Sequence, residues 1–579
     1  MAGSTQISSG AQLFTTETDL PKSADERAKS DLWIFREGRR EVSGPGMVRD
    51  LTHRLASKNS LTDSLIEAGE LEGALADVNA LGAPAAAALT DALALCVCTG
   101  DEALGMQPQQ LAANIEVPEA ISISPPEGFT YYALHPSDYA RVVDRIASHS
   151  GVFAVIGVRS IGTTLSAVTT AALNAQGNRA KRITVRPTGH PYARSVQFSA
   201  DQEHWIVEQL SRSADFLVVD EGPGRSGSTF LSVAEALMRM KVPQDRITAV
   251  GSREFDPESL CAENAVKRWR HVRFVSTKPS VSSRFQNFTY LGGGDWRRHS
   301  FDDEENWPES WTQMERLKFL SPDRRQFVKF EGMGPLGSQV RERAFTLAEG
   351  GFSPAVADAR DGFLSYQTLG GRTLRKQDVS PSVLERIALY CSFRISNFSY
   401  TPPFSSELAH MLEFNVQQEF GRELRLDPGL LGSTNPVLAD GRMQPFEWIA
   451  PPQGELLKTD AISHGDNHFF PGPCDIAWDL AGAIIEWNLS SEAAEFLLRR
   501  FKQLSGIDVA QKLEAYMLAY CVFRLGFCKM AVSTVLGSRE ESRLKTAYHW
   551  YRSKAGKLLN TGVCGIFLPS QLQPEQNFK

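Results

Sequence analysis

The sequence predicts a multidomain α/β protein: a helical segment, then a domain on a parallel sheet, then a two-lobed α+β domain. Three observations predict this. A chain of 579 residues is too long for one hydrophobic core and divides into several. From about Ser137, helix and strand patterns alternate, the mark of a parallel sheet with helical crossovers. Beyond the polar, proline-containing stretch 276–285 that alternation gives way to glycine turns and short strands, and then to amphipathic helices in series.

Composition narrows the classes. The content of 42% hydrophobic and 22% charged residues is ordinary for a globular chain, and a net charge of -7 argues against a general nucleic-acid or anionic-membrane binder. The eight cysteines, scattered and mostly within apolar runs, read as reduced core residues of a cytoplasmic protein. The N-terminus has no apolar signal-peptide region, and the longest apolar run, 85–98, is interrupted by Thr90 and Asp91 and too short to span a bilayer. Small molecules are the expected partners, with no nucleic acid and no membrane; the sequence leaves a homo-oligomer open.

Residues 1–30 read as a disordered or loosely attached tail and 31–128 as mainly helical, without a catalytic constellation but with a basic cluster of Arg36, Arg39 and Arg40. Residues 129–135 are expected to form a hood over the ligand face of the domain that follows, 129–280. There the strand 152–156 runs into a glycine loop, 157–164, and the strand ending at Arg186 runs into Pro187, Gly189, His190, Pro191 and Arg194, polyanion-binding chemistry in an irregular loop. The central unit is Phe216-Leu-Val-Val-Asp220-Glu221-Gly-Pro-Gly-Arg225-Ser226-Gly227-Ser228-Thr229. Its apolar run is a buried strand, and Phe230, Ala234, Leu237 and Met238 recur at helical spacing after the loop. Two acids at a strand end suit a diol or hydrated Mg2+, while the hydroxyl-rich loop opening a helix suits a phosphate; together they describe a sugar phosphate.

This stretch resembles the phosphoribosyl diphosphate (PRPP) motif of type I phosphoribosyltransferases, with the segment before Ser226 one residue longer than usual. The resemblance implies a phosphoribosyltransferase-like domain in which Asp220 and Glu221 hold the ribose hydroxyls, and Arg225, Ser226, Gly227, Ser228 and Thr229 form the 5-phosphate loop. It also implies that Arg159, in loop 157–164, meets pyrophosphate, and that Arg186 and His190 belong to a loop closing over PRPP.

The last domain divides at about 400 into lobes 285–400 and 401–579. Residues 287–291 and 296–301 read as two strands around Gly292-Gly293-Gly294, and 302–311 as an acidic insertion. Lys329 interrupts an apolar strand, and Glu342 lies on the next helix. This order resembles the N-lobe of protein-kinase-like small-molecule kinases. Downstream, Pro445-Phe-Glu447 and Asp460 keep the thirteen-residue separation of a kinase Pro-x-Asn and its metal aspartate, and Asp475-Ile-Ala-Trp-Asp479-Leu-Ala resembles a segment of aminoglycoside-phosphotransferase-like kinases. The resemblance implies ATP and Mg2+ as cofactors, Lys329 and Glu342 at the ATP phosphates, Glu447 and Asp460 as metal ligands, and Asp440 as base in a loop two residues longer than usual. A competing register makes Asp466 of His464-Gly-Asp466 the base, and His464, Asp466 and His468 could instead line the acceptor pocket. The expected function is PRPP-dependent phosphoribosyl transfer, or its reverse, coupled to ATP-dependent phosphorylation of a nucleoside-like metabolite. The alternative is a nucleotide- or PRPP-sensing regulatory protein with a degenerate kinase-like domain.

Overall fold

The computed structural model describes residues 39–56, 60–100, 106–147, 151–190, 192–224, 226–400, 407–424, 426–433, 435–465, 467, 469–560 and 568–569. The tail 1–30 lies outside them, as do Arg36, Arg225, Asp466, His468 and Cys564. The protein is of mixed α/β class and contains a parallel sheet. Its N-terminal layer is helical, including α1 (Leu61–Asp77), with a short antiparallel pair of strands, Arg40–Ser43 and Ala120–Ile123. The short helix α2 (Glu127–Tyr131) then leads into the first large sheet.

That sheet contains β1 (Val152–Val158), β2 (Arg179–Val185), β3 (Asp215–Val219), β4 (Ile247–Gly251) and β5 (Arg273–Ser276). All pairings are parallel, in the order β2-β1-β3-β4-β5. Alternating side chains enter two different cores. Val155, Leu217 and Val219 pack with α1 and α3 (Ile161–Ala175), while Ala154, Ile156, Phe216 and Val218 pack with α4 (Ser228–Arg239). Burial on both faces is why these strands read as continuous apolar runs. The order reverses between β1 and β3, so the crevice at their carboxyl ends is where an open sheet of this kind takes its ligands.

A second sheet, antiparallel, contains β6 (Thr289–Tyr290), β7 (Lys318–Leu320), β8 (Gln326–Phe330), β9 (Val356–Asp358) and β10 (Phe363–Gln367), in the order β9-β10-β8-β7-β6. Helix α5 (Gly334–Glu349) follows β8. The sequence break at 276–285 is not a break in packing: Phe285, Phe319, Val328, Phe330 and Phe363 share one core with α1, α3 and β1. The expected hairpin around Gly292 is corrected. Arg297–Ser300 is a helical turn, and β6 pairs with β7 only after a long excursion, 291–317. The cause is a remote partner: the buried Arg297 guanidinium donates to both carboxylate oxygens of Glu540, at 3.0 and 2.9 Å, which ties the excursion to the last long helix, Arg539–Asn560.

The C-terminal lobe packs helices around a third core. Among the described residues one helix, Ala510–Val532, is long and apolar enough to cross a membrane, and its Tyr516 to Phe523 stretch lies inside that core. A small sheet of β11 (Arg372–Thr373), β12 (Trp448–Ala450) and β13 (Leu457–Lys458) joins the lobes. Among the described cysteines, Cys98, Cys391, Cys474, Cys521 and Cys528 carry free thiols.

Candidate active site

Two places gather charged side chains. The first is the switch point, where Asp220 and Glu221 leave β3. Their backbone is pinned: the Asp220 amide donates to Val250 at 3.2 Å, Ser252 donates to the Glu221 carbonyl at 2.6 Å, and the Tyr139 hydroxyl donates to the Asp220 carbonyl at 2.6 Å. The Glu221 amide is held by the Asp220 carboxylate at 2.8 Å. Burial pushes Asp220 up to about 7, and burial with the nearby Glu127 and Asp220 carboxylates pushes Glu221 up to about 8. Helix α2 closes in on this pair: a Cβ at Gly128 would stand 2.9 Å from the Glu221 carboxyl carbon. Tyr131 and Tyr132, from the stretch expected to form a hood, line the second site described below. The hydroxyl loop is compact, with the Ser226 and Ser228 hydroxyls 2.9 Å apart, Gly227 at the N-cap of α4 and Thr229 half-buried in its first turn.

Arg159 and Arg186 also reach the carboxyl ends of β1 and β2, but α1 engages both. Arg186 chelates the Asp77 carboxylate, with nitrogen–oxygen distances of 3.0 and 2.6 Å, and Arg159 donates to Asp77 at 3.2 Å and to the Ala76 carbonyl at 3.0 Å. Arg39 stands 3.7 Å from the same carboxylate. The glycine loop 157–164 is covered as well, because Thr163 and Thr164 are buried beneath α1. The expectation that Arg159 and this loop face pyrophosphate is therefore corrected: the Arg159 guanidinium donates to the end of the N-terminal helix, and that helix covers the loop. His190 lies in an exposed turn where its Nδ1 accepts the Tyr192 amide at 3.2 Å, and no contact joins it to Asp220 or Glu221. Gly69 makes the α1 contact close, since a Cβ there would stand 3.2 Å from Thr164 Cβ and closer still to its hydroxyl. Gly69→Val is expected to cost about 1–3 kcal/mol through overpacking, checked by urea unfolding against the wild type.

The second site lies between the lobes. Lys329, on the third strand of its lobe and 4% exposed, pairs with the Asp460 carboxylate, with Glu331 at 3.0 Å and with the Ser463 hydroxyl at 3.2 Å. Glu342 is not its partner: it is exposed on α5, and Glu331, two residues beyond the lysine on the chain, takes that place. Asp460 has φ of 54°, the left-handed region that aspartate tolerates better than most side chains. Burial would raise its carboxyl, but the Lys329 ammonium outweighs burial and holds it well below the usual range.

Asp440 is fully buried behind this site. Its carboxylate accepts from the Tyr390 hydroxyl and from the Arg442 amide at 3.1 Å, and stands 3.3 Å from the Lys458 ammonium. Asp479 pins the loop, accepting the Asp440 and Gly441 amides at 2.9 and 3.1 Å, with Arg394 at 3.5 Å. The expected base is thus corrected to a positioning residue, because its oxygens are engaged and it does not line the cavity. Glu447 is buried too, with Lys458 at 2.8 Å and Arg442 at 3.6 Å; burial pushes its carboxyl up while both cations pull against it. His464 stands 3.5 Å from Asp460, and burial lowers it to about 4.

These groups open on a cavity of about 1170 Å³, lined by Lys329, Glu331, Glu447, Lys458, Asp460 and His464 among others. The excursion 291–317 closes over it and is tied to the C-terminal lobe, with Glu309 to Arg524 at 2.7 Å and Gln313 to the Thr534 carbonyl at 2.8 Å. Trp296 and Phe301 from that excursion pack on Phe446 at centroid distances of 5.7 and 6.1 Å. Tyr131, the last residue of the helix that closes in on Glu221, and Tyr132 just after it form another wall. Hard oxygen donors suit Mg2+. Asp440, Glu447 and His464 present ligand atoms within 4.8 Å of one another, but the Lys458 ammonium already takes the two carboxylates. A magnesium ion at Glu447 would meet that ammonium, whereas Asp460, paired with Lys329 and 3.5 Å from His464, brings one carboxylate to the cavity wall and is the donor left to hold an ion there.

Sequence reasoning missed Lys458, Glu331 and Asp77. The first had a signal, a lysine two residues before the expected metal ligand in Leu457-Lys458-Thr459-Asp460. Asp77 had none, since its partners are remote in sequence. No protein-family model matches the chain, and no curated protein does. Among solved structures, the choline kinase LicA from Streptococcus pneumoniae aligns over 42% of this chain and 89% of that chain, at 14% identity and a TM-score of 0.30. A choline/ethanolamine kinase family protein from Mesorhizobium loti aligns over 43% and 90%, at 12% identity and a TM-score of 0.31. The macrolide 2'-phosphotransferase MphH from Brachybacterium faecium aligns over 41% and 88%, at 12% identity and a TM-score of 0.28.

Proposed function

We propose that the chain is an ATP-dependent phosphotransferase for a small, hydroxyl-bearing, nucleoside-like acceptor, working in the cytoplasm. It is joined to an α/β domain that binds a phosphorylated ribose such as PRPP. The observation that carries the reading is the convergence of Lys329, Asp460 and Lys458 on one cavity of about 1170 Å³. Lys329 orients the ATP phosphates, and Asp460 would hold Mg2+, whose charge neutralises the phosphate oxygens when bound. The acceptor oxygen forms a new P–O bond as the bridging P–O bond of ATP breaks; ADP leaves with that electron pair and the acceptor proton is released to solvent. Such transfer rests on positioning and electrostatics, so a base held away from the cavity is no obstacle. Incubation with γ-labelled ATP and a panel of nucleosides and sugars tests it: the label is expected on a small product, and label on protein alone would overturn it.

In the α/β domain, Asp220 and Glu221 take the ribose hydroxyls, and Ser226, Ser228 and Thr229 at the start of α4 take the 5-phosphate. Phosphoribosyl transfer, or its reverse, at this site would supply or consume the phosphotransferase acceptor. A second reading, binding of PRPP without turnover, is favoured by the engagement of Arg159 and Arg186 with Asp77. Calorimetric titration of PRPP, with and without Mg2+, into the wild type and an Asp220→Ala/Glu221→Ala variant separates binding from its absence. Pyrophosphate release in the presence of candidate bases then separates turnover from sensing.

A further inference from the structure

The pair of carboxylates expected to work with a divalent cation already has a cation of the chain's own. Lys458, at the end of β13, is fully buried, and its ammonium stands 2.8 Å from Glu447 Oε2, 3.3 Å from Asp440 Oδ2 and 3.1 Å from the Thr459 carbonyl. An ammonium has three N–H groups, and these three acceptors use them all. The carboxylates are equally committed. Asp440 also accepts the Tyr390 hydroxyl and the Arg442 amide, and the second oxygen of Glu447 faces Arg442 at 3.6 Å. The ligand atoms of Asp440, Glu447 and His464 nonetheless keep the spacing of a metal site, within 4.8 Å of one another. The lysine nitrogen stands against the two carboxylates of that set. Lys458 also borders the cavity, which places its charge near whatever binds there.

We propose that Lys458 is a built-in cation that takes the place of a second divalent ion, so that the site works with a single metal ion, at Asp460. The inference rests on the phosphotransferase reading and refines it. In kinases of the resembled type, two magnesium ions share the transferring phosphates, one of them through the catalytic-loop residue whose position Glu447 occupies. Here that residue is neutralised from within, and a doubly charged ion beside a fixed ammonium meets like charge at close range. Lys458 is held by a strand end and three acceptors, so its charge is positioned before any ligand arrives. Asp440 gains a role from the same geometry: it positions Lys458.

The test is the number of Mn2+ ions bound per chain in the presence of a non-hydrolysable ATP analogue, counted by electron paramagnetic resonance of free Mn2+. The wild type is expected to bind one. Lys458→Met, which frees two carboxylates, is expected to bind two, and Lys458→Met/Glu447→Gln is expected to return to one. Two ions in the wild type would overturn the inference while leaving phosphotransfer standing, and this arm decides the matter even if Lys458→Met does not fold. Failure of the folded wild type to bind the analogue at all would overturn both.

Discussion

Replacing Lys329 by methionine is expected to lower nucleotide-dependent phosphoryl transfer by roughly 10²–10³-fold, the scale of losing one well-placed electrostatic contact. It is also expected to cost about 3–5 kcal/mol of stability, because an ion pair broken from one side leaves an uncompensated buried charge. Two carboxylates depend on this ammonium. Glu331 is 2% exposed, with the lysine at 3.0 Å, and Asp460 is its direct partner. Burial alone would lower the lysine, yet Asp460 and Glu331 more than compensate and raise it above its ordinary range, so it is charged at neutral pH. The double variant Lys329→Met/Asp460→Asn removes one stranded charge along with the ammonium and is expected to recover part of the stability but none of the transfer. Urea unfolding followed by tryptophan fluorescence checks the first expectation and the labelled-ATP assay the second. Equal stabilities of single variant and wild type would show that the pair is not compensated as drawn.

Glu221→Gln is expected to flatten the dependence of stability on pH. The folded chain keeps the Glu221 carboxyl protonated up to about 8, against an ordinary value of 4.5, because it is buried beside Glu127 and Asp220. The unfolded chain releases that proton at a lower pH, so the stability the neutral carboxyl contributes is fully present below its unfolded value and is lost as pH rises through the folded one. For a group at the edge of a crevice the loss amounts to roughly 2–4 kcal/mol. The glutamine variant should match the wild type near pH 4 and exceed it by that amount near pH 9. Asp220 and Glu67, each raised to about 7 mainly by burial, and Glu70, raised to about 8, act in the same direction. The wild type therefore weakens steadily towards alkaline pH. Binding of a sugar phosphate or Mg2+ at Glu221 needs the ionised form and should strengthen over the same interval. Unfolding curves near pH 5, 7 and 9 decide; parallel slopes for the two proteins would contradict the expectation.

What was legible in the chain was local. The parallel sheet could be read because its strands are buried on both faces and therefore carry unbroken apolar runs, as in Phe216 to Val219. The acids at the end of β3 were legible because strand, loop and helix follow one another directly. Remote pairings were not. Trp296 and its neighbours read as a strand after glycine, yet they turn helical because Arg297 finds Glu540 in the final long helix. Arg159 and Arg186 have the chemistry of a polyanion site, and nothing in their own loops announces that Asp77 will claim them. Glu331 and Glu342 both follow the same buried lysine in sequence, but the helix carrying Glu342 turns its buried face, with Val340, Arg343 and Ala344, inward and leaves the glutamate in solvent. The sequence separation of Glu447 and Asp460 suggested a shared metal, whereas the strand between them delivers Lys458 to Glu447 first.

The central claim is that the cavity bounded by Lys329, Asp460 and Lys458 is built for a metal-bound nucleoside triphosphate. Calorimetric titration of ATP with Mg2+ into the full chain, and into Lys329→Met, tests it most directly. The account predicts one nucleotide per chain, binding that depends on Mg2+, and at least a tenfold loss of affinity in the variant, a difference of about 1.4 kcal/mol. Absence of binding to the folded wild type, or equal affinity in the two proteins, would contradict it.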